Sequence, residues 1–174
     1  MDKNTLQKIV KLSQMLLEFD KLEDALPKVV QEIKNIINAD RSTIFIYSQS
    51  SNMIWTYLAD GVDKLILSAD KGIVGYVIKN KTIKKVNDTS KEPLFYKDVD
   101  ENTGYQTKNI LSVPLLNEEN KVIGVIQLLN KEGGFTKDDI NIAYLFSNYL
   151  SAPLELLLQK QHSLNLKDDN DYII

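Results

Sequence analysis

The sequence contains no cysteine. That absence removes disulfides, thiolate metal sites, cysteine nucleophiles, thiol redox chemistry and cysteine-linked chromophores, and it makes a reducing cytoplasm the expected location. Histidine is almost missing too, with His162 alone near the end of the chain. A catalytic triad or haem ligand built on it would need partners converging on a polar terminus, so a solvated helix position is expected instead. Arg41 is the one arginine among 21 cations, and the net charge of −3 argues against a nucleic-acid surface. No apolar run reaches the ~18 residues of a membrane span, and no charged-then-apolar leader opens the chain, so no membrane partner is expected. The phosphate loop G-x-x-x-x-G-K-[ST], the dinucleotide pattern G-x-G-x-x-G and the zinc motif H-E-x-x-H are all absent. Acidic pairs exist at Asp98/Asp100/Glu101 and Asp138/Asp139, but such pairs are common at turns and helix starts. No catalytic residue, no metal site and no required cofactor are therefore expected.

What is present describes an ordinary globular chain of 174 residues, 43% apolar and 26% charged. One core is the default at this length. Lys, Asn and Ile are abundant, and their AT-rich codons point to a bacterial source. Leu6, Ile9, Val10, Leu12 and Leu16 recur at helical spacing over residues 3–19, and Leu26, Val29, Val30, Ile33 and Ile37 form a second stripe over about 23–38. Either two antiparallel helices open the chain, or one helix breaks near Asp20. From Arg41 the period changes to two, predicting a strand over 41–47, a return strand over 53–59 and a short strand over 64–68. A helix is predicted over 72–80, and strands over 83–86, 110–116 and 122–129. Thr136 is a predicted N-cap with Asp139 three residues on, opening a helix that reaches Leu158 and is kinked or broken at Pro153. A polar tail follows and is expected to fray.

Residues 87–109 stand apart, rich in Asp, Asn and Thr with few apolar anchors. An irregular segment this long inside a compact domain usually carries function. Asp100, Thr103, Thr107 and Asn109 with Tyr96 and Tyr105 suit a small polar ligand bearing a flat ring. The same residues also suit a surface loop whose hydroxyls satisfy its own backbone. The sequence leaves both readings open.

The stretch from Ala39 to Tyr47 resembles the strand that opens a GAF domain, the small-molecule sensor of cyclic-nucleotide phosphodiesterases and many bacterial signalling proteins. Residues 71–77 (KGIVGYV) look like that family's helix start, and residues 98–111 (DVDENTGYQTKNIL) are similar to its V-D-x-x-T-G-[FY]-x-T-[RK]-N-[IL]-L signature. Val113-Pro114-Leu115 and residues 123–131 (IGVIQLLNK) follow in the family's order. Asn130-Lys131, Phe135 and Asp139 also match the N-K, F and D of the phosphodiesterase-type motif, whose final Glu is replaced here by Ile140. The resemblance covers roughly 22–158. It implies an α+β fold related to PAS domains: a central antiparallel sheet of about six strands, N- and C-terminal helices on one face, and a ligand lid over 88–109 on the other. The implied organisation is an N-terminal helix over 1–21, a GAF domain over 22–158 and a polar tail over 159–174.

The resemblance also implies a site. Thr43 corresponds to a hydroxyl-bearing position that meets the ligand. Ala59 and Asp60 correspond to the positions where the family often has a stacking ring, which Ala59 does not supply. Ile73 and Val74 offer the amides that receive a cyclic phosphate, and a helix start suits an anion. Tyr96, Asp100, Thr103 and Thr107 match lid positions, and Gln127 stands where cGMP-binding relatives present an acid. An amide there leaves the choice of base open. Lys131 and Asp139 correspond to a structural salt bridge, although a simple cap by Asp139 is the other reading.

The implied function is a non-catalytic cytoplasmic sensor binding cAMP or cGMP and relaying lid closure to its flanking helices. The alternative is a dimerisation or scaffold module with a vestigial pocket or a different metabolite. No catalytic domain follows Leu158, so the chain is expected to be either a stand-alone regulator or a fragment of a longer signalling protein with an output domain. A homodimer through residues 3–19 and 145–160 is expected because those helices carry more apolar surface than one small sheet needs.

Overall fold

A computed structural model of the protein describes residues 3–57, 64–96 and 104–170. Two helices open the chain, α1 (Lys3–Leu17) and α2 (Leu22–Ile37). Six strands follow: β1 (Arg41–Ser48), β2 (Met53–Tyr57), β3 (Lys64–Ser68), β4 (Lys84–Val86), β5 (Ile110–Leu116) and β6 (Val122–Leu129). Helix α3 (Gly72–Asn80) lies between β3 and β4, and α4 (Lys137–Asn170) closes the order. The strands form one sheet in the order β3-β2-β1-β6-β5-β4. Every neighbouring pair is antiparallel.

Period-two alternation gives the sheet two different faces. Ile44, Ile126 and Val113 stand side by side across β1, β6 and β5, and they are buried in the main core with α1, α2 and α4. One residue along, Thr43, Gln127 and Ser112 form the matching row on the opposite face. Phe45 and Val125 share that second face and pack under α3 with Val74 and Val77. Gly124 is required where β1 and β6 approach: a Cβ there would lie 2.5 Å from the Phe45 carbonyl oxygen.

Helix α2 ends at Asn38, whose φ of 59° takes the left-handed conformation of a helix C-cap. A terminal carbonyl of the helix, Ile37 O, then accepts a 2.9 Å hydrogen bond from Lys131 Nζ. The same ammonium lies 2.6 Å from Asp139 Oδ1 in the first turn of α4. Asp139 Oδ2 meanwhile accepts from the Thr136 amide and hydroxyl, and the Asp139 amide donates back to Thr136 Oγ1. Both readings of Asp139 therefore hold together, because a carboxylate has two oxygens and each serves one role. Burial pushes the Asp139 carboxyl up, but the Lys131 hydrogen bond and the bonds from Thr136 outweigh it and hold it below the usual range.

The expected limit of the last helix is corrected at the C-terminal side. Pro153 sits inside α4 without ending it, and the helix runs on to Asn170 past the expected limit at Leu158. A proline there removes one backbone hydrogen bond. The helix persists because Leu150, Leu154 and Leu157 are buried on either side of it. Beyond them, Gln161 Oε1 accepts from the Leu22 amide at 3.3 Å and Lys160 pairs with Asp20 at 3.3 Å. Ile9, Leu12 and Leu16 are buried in the same core as Leu150, Leu154 and Leu157, with α1 packed on α4. Those six side chains pack within one chain, while Leu17 and Leu156 on the same two helices stay exposed. No described helix is long and apolar enough to cross a membrane.

Two outcomes follow from this packing. Gly124→Ala is expected to lower stability by about 1–3 kcal/mol, read as a lower chemical-denaturation midpoint, because the clash is with backbone and has nowhere to relax. Lys131→Met leaves the Asp139 carboxylate buried without its cation and should cost roughly 3 kcal/mol. The double variant with Asp139→Asn should cost less than the sum of the two singles. Since the Asp139 pKa is depressed, its contribution is present above the unfolded carboxyl value and is lost as pH falls through the folded one. Acid unfolding of Asp139→Asn should lack that component.

Candidate functional site

A cavity of about 290 Å³ opens on the face of the sheet opposite α1, α2 and α4. Its floor comes from Phe45 on β1, Ile54 on β2, Leu65 and Leu67 on β3, and Gln127 and Leu129 on β6. The start of α3, from Lys71 to Val74, makes one wall, while Phe95, Tyr96 and Thr107 close over it. Apolar side chains dominate, with a few polar groups aimed among them, which is the usual make-up of a small-molecule site.

The α3 wall is built for close approach. Gly72 holds φ +70°, and a Cβ there would meet Tyr96 Cβ at 3.5 Å, so the lid segment lies directly against the helix start. The Gly75 amide bonds back to the Lys71 carbonyl. The amides of Ile73 and Val74 have no bond among the described residues, as expected in a first helical turn. Lys71 Nζ stands 5.2 Å from the Tyr96 ring centre, placing a cation at the same end of the cavity.

Five of the sequence-expected residues line this cavity: Ile73, Val74, Tyr96, Thr107 and Gln127. Thr43 does not. It sits on the correct face opposite Gln127, but the longer side chains of Phe45 and Gln127 beside it reach the cavity in its place. Ala59, Asp60, Asp100 and Thr103 lie outside the described residues. Sequence reasoning passed over Phe45, Ile54, Leu67, Lys71, Phe95 and Leu129. Phe45, Gln127 and Leu129 share a face by strand alternation, so that signal was present for the strand residues.

Tyr105 and Asn109 resolve toward structure rather than ligand. Asn109 Nδ2 donates to the Lys131 carbonyl at 3.0 Å, and its Oδ1 accepts from the Lys131 amide at 2.9 Å. Tyr105 donates its hydroxyl to Asp40 Oδ2 at 2.6 Å and accepts from Asn130 Nδ2. The Arg41 guanidinium stacks 3.6 Å from its ring centre. Burial, followed by the Asp40 hydrogen bond, pushes the Tyr105 phenol up to about 12. Asn130 Oδ1 accepts from the Lys108 amide at 2.7 Å, and Thr89 Oγ1 donates to the Thr107 carbonyl at 2.6 Å. Both ends of the lid are thus fastened at its stem. His162 is exposed on α4.

Comparison with known proteins agrees with this geometry. The family model for the GAF domain matches residues 21–154. Over 142 residues the chain is 30% identical to the "Probable 3',5'-cyclic phosphodiesterase pde-5" of Caenorhabditis elegans, covering 73% of this chain and 19% of that protein. It is 28% identical over 140 residues to a cGMP-specific 3',5'-cyclic phosphodiesterase of Drosophila ananassae, covering 71% of this chain and 12% of that one. The chain thus spans less than a fifth of the length of either relative. Among solved structures, the GAF domain of an Acinetobacter phosphoenolpyruvate-protein phosphotransferase superposes with a TM-score of 0.73 at 19% identity, over 95% of this chain and 99% of that one. The corresponding domain from Coxiella burnetii gives 0.76 at 18%, over 90% and 96%. Identities that low speak for the fold alone. The family model does more, because it spans the chain from the helix before the sheet, across both walls of the cavity and into α4: the chain belongs to the GAF domain family.

Proposed function

We propose that this GAF domain is a non-catalytic sensor of the phosphodiesterase type whose cavity takes a cyclic nucleotide, cAMP or cGMP. One arrangement carries the reading. The amides of Ile73 and Val74, which have no bond among the described residues, stand with Lys71 at one wall of an otherwise apolar cavity, and a carboxamide, Gln127, stands on its floor. An anion belongs against the first, since helix amides and a cation both favour negative charge. A flat heterocycle with hydrogen-bonding edges belongs against the second, between Phe45 below and Tyr96 above. A cyclic nucleotide joins these two chemistries in one small molecule. The similarity to regions of two cyclic phosphodiesterases supports the same choice. So does the N-K, F and D series formed by Asn130-Lys131, Phe135 and Asp139, with its ion pair closed at 2.6 Å. A cytoplasmic setting goes with this reading, since a chain without cysteine has no disulfide for an oxidising compartment to form.

Ligand that binds only the folded state raises its stability by an amount set by concentration over Kd, about 2.7 kcal/mol at a hundredfold excess. For a chain of this size that is a rise in melting temperature of about 5–10 °C. Differential scanning fluorimetry with cAMP and cGMP up to millimolar concentration should show it. Thr107→Val and Lys71→Met should each reduce the shift without lowering the melting temperature of the free protein by a comparable amount. No shift with either nucleotide would overturn the reading and leave another metabolite or a scaffold role.

A further inference from the structure

The roof of the cavity is the turn that carries Phe95 and Tyr96. Apolar packing holds Phe95 against Ile73, Val86 and Ile110, but such packing has no preferred direction and does not fix where the turn lies along the wall. Directional bonds do, and they gather on Glu92. The Leu94 amide donates to Glu92 Oε1 at 3.2 Å, and the Phe95 amide donates to the Glu92 carbonyl at 3.0 Å. Pro93, just after Glu92, locks its own φ and carries no amide. Glu92 Oε2 reaches the other way, to Lys84 Nζ at 3.1 Å.

Lys84 belongs to the body of the domain. It is the first residue of β4, opposite Ser112 on β5 and so on the cavity face of the sheet. Its ammonium stands 5.1 Å from the ring centre of Tyr76 on α3. One carboxylate thus joins three elements: the roof turn through Oε1, and β4 and α3 through the cation at Oε2. The direction of each bond is fixed, because an ammonium and a backbone N–H only donate. The pair is shielded as well, with the Glu92 side chain 15% and the Lys84 side chain 26% exposed. The Lys84 hydrogen bond, followed by the Leu94 amide, holds the Glu92 carboxyl below its usual range, so its charge is present at neutral pH. Neither residue lines the cavity. We propose that Glu92 is a positioning residue for the ligand site: anchored on Lys84, it sets Phe95 and Tyr96 over the cavity, and affinity depends on the ion pair although neither partner touches ligand. The part about affinity rests on the cyclic-nucleotide reading, and the part about the roof does not.

Amide exchange followed by NMR on the full chain tests the roof without any ligand. Lys84→Met removes the cation and leaves both Glu92 acceptors in place. It should speed exchange at Leu94 and Phe95 about fivefold, with the amides of Val125 and Ile126 in β6 unaffected. Lys84→Arg, which restores a cation, should reverse most of that change. By isothermal titration calorimetry, Lys84→Met and Glu92→Gln should each weaken whichever of cAMP or cGMP binds the wild type by a similar factor, since apparent affinity falls with the fraction of protein in the competent arrangement. The melting temperature of the free variants should stay within about 4 °C of wild type, which separates loss of position from loss of fold. Unchanged exchange in Lys84→Met, or faster exchange with unchanged nucleotide affinity, would overturn the proposal and leave the cyclic-nucleotide reading standing. Failure of both nucleotides to bind the wild-type chain would overturn that reading and the dependence of affinity with it, while the exchange rates still decide the roof.

Discussion

Everything on the helix side of the molecule converges on one ammonium group. Lys131 Nζ sits between Asp139 Oδ1 at 2.6 Å and the Ile37 carbonyl at 2.9 Å, on a side chain only 20% exposed. Taking a cation that far from water is expensive unless every donor is used well. Here the two partners are a carboxylate and a helix-end carbonyl that would otherwise want water. The geometry is correspondingly restrictive. It brings the end of α2, the residue after β6 and the first turn of α4 to a single point. Asn130, next in the chain and itself at φ 54°, turns the other way and grips the amides of Lys108 and Asn109. Two adjacent residues thus serve opposite sides: one ties helices together, and the other holds the stem of the lid.

The sheet makes that division possible. Each central strand contributes alternately to the helix core and to the cavity, so the two functions are one residue apart in sequence. The row Ile44, Ile126 and Val113 is almost entirely removed from solvent. Each such side chain contributes about 1.5–3 kcal/mol by burial. The neighbouring row, Thr43, Gln127 and Ser112, is polar and would be ruinous in that core. A one-residue slip in pairing would exchange the rows. The apolar row therefore fixes the register, and fixed register is what brings Ser112 opposite Gln127.

Much of this was legible in the residues, for reasons that also explain what was not. The period change at Arg41 marks the sheet because alternation is a local property, and Thr136 with Asp139 marks the start of α4 because capping is local too. Pro153 left a kink and a break both open because its effect is local, while the burial that carries α4 through it comes from α1, far away in sequence. The continuation to Gln161 depends on a bond to Leu22 across 139 positions, which no local pattern records. Tyr105 and Asn109 carried the same composition signal as Thr107, and only the fold separates a side chain aimed at Asp40 or Lys131 from one aimed at a cavity. Ser112 did leave a trace: it is the one hydroxyl in an otherwise apolar strand.

The two ends of α2 are held by the two ends of one partner. At the C-terminal end, Lys131 links the last carbonyl to Asp139 at the start of α4. At the N-terminal end, the Leu22 amide is capped by Gln161, more than twenty residues further along α4. Between these points Leu26, Val29 and Ile33 are buried in the core they share with Ala143, Phe146, Leu150 and Leu154. A displacement of the β6 end, where Asn130 and Lys131 sit, is therefore applied to α2 and α4 jointly. The helices do not have the freedom to shift singly, because either motion alone would break a hydrogen bond at one end and unpack the core between. The lid stem at Thr107–Asn109 is the segment fastened most directly to that β6 end, through Asn130 and Lys131. Thr107 lines the cavity. Thr107, on the cavity wall, is thus two residues or fewer from the junction that joins α2 to α4.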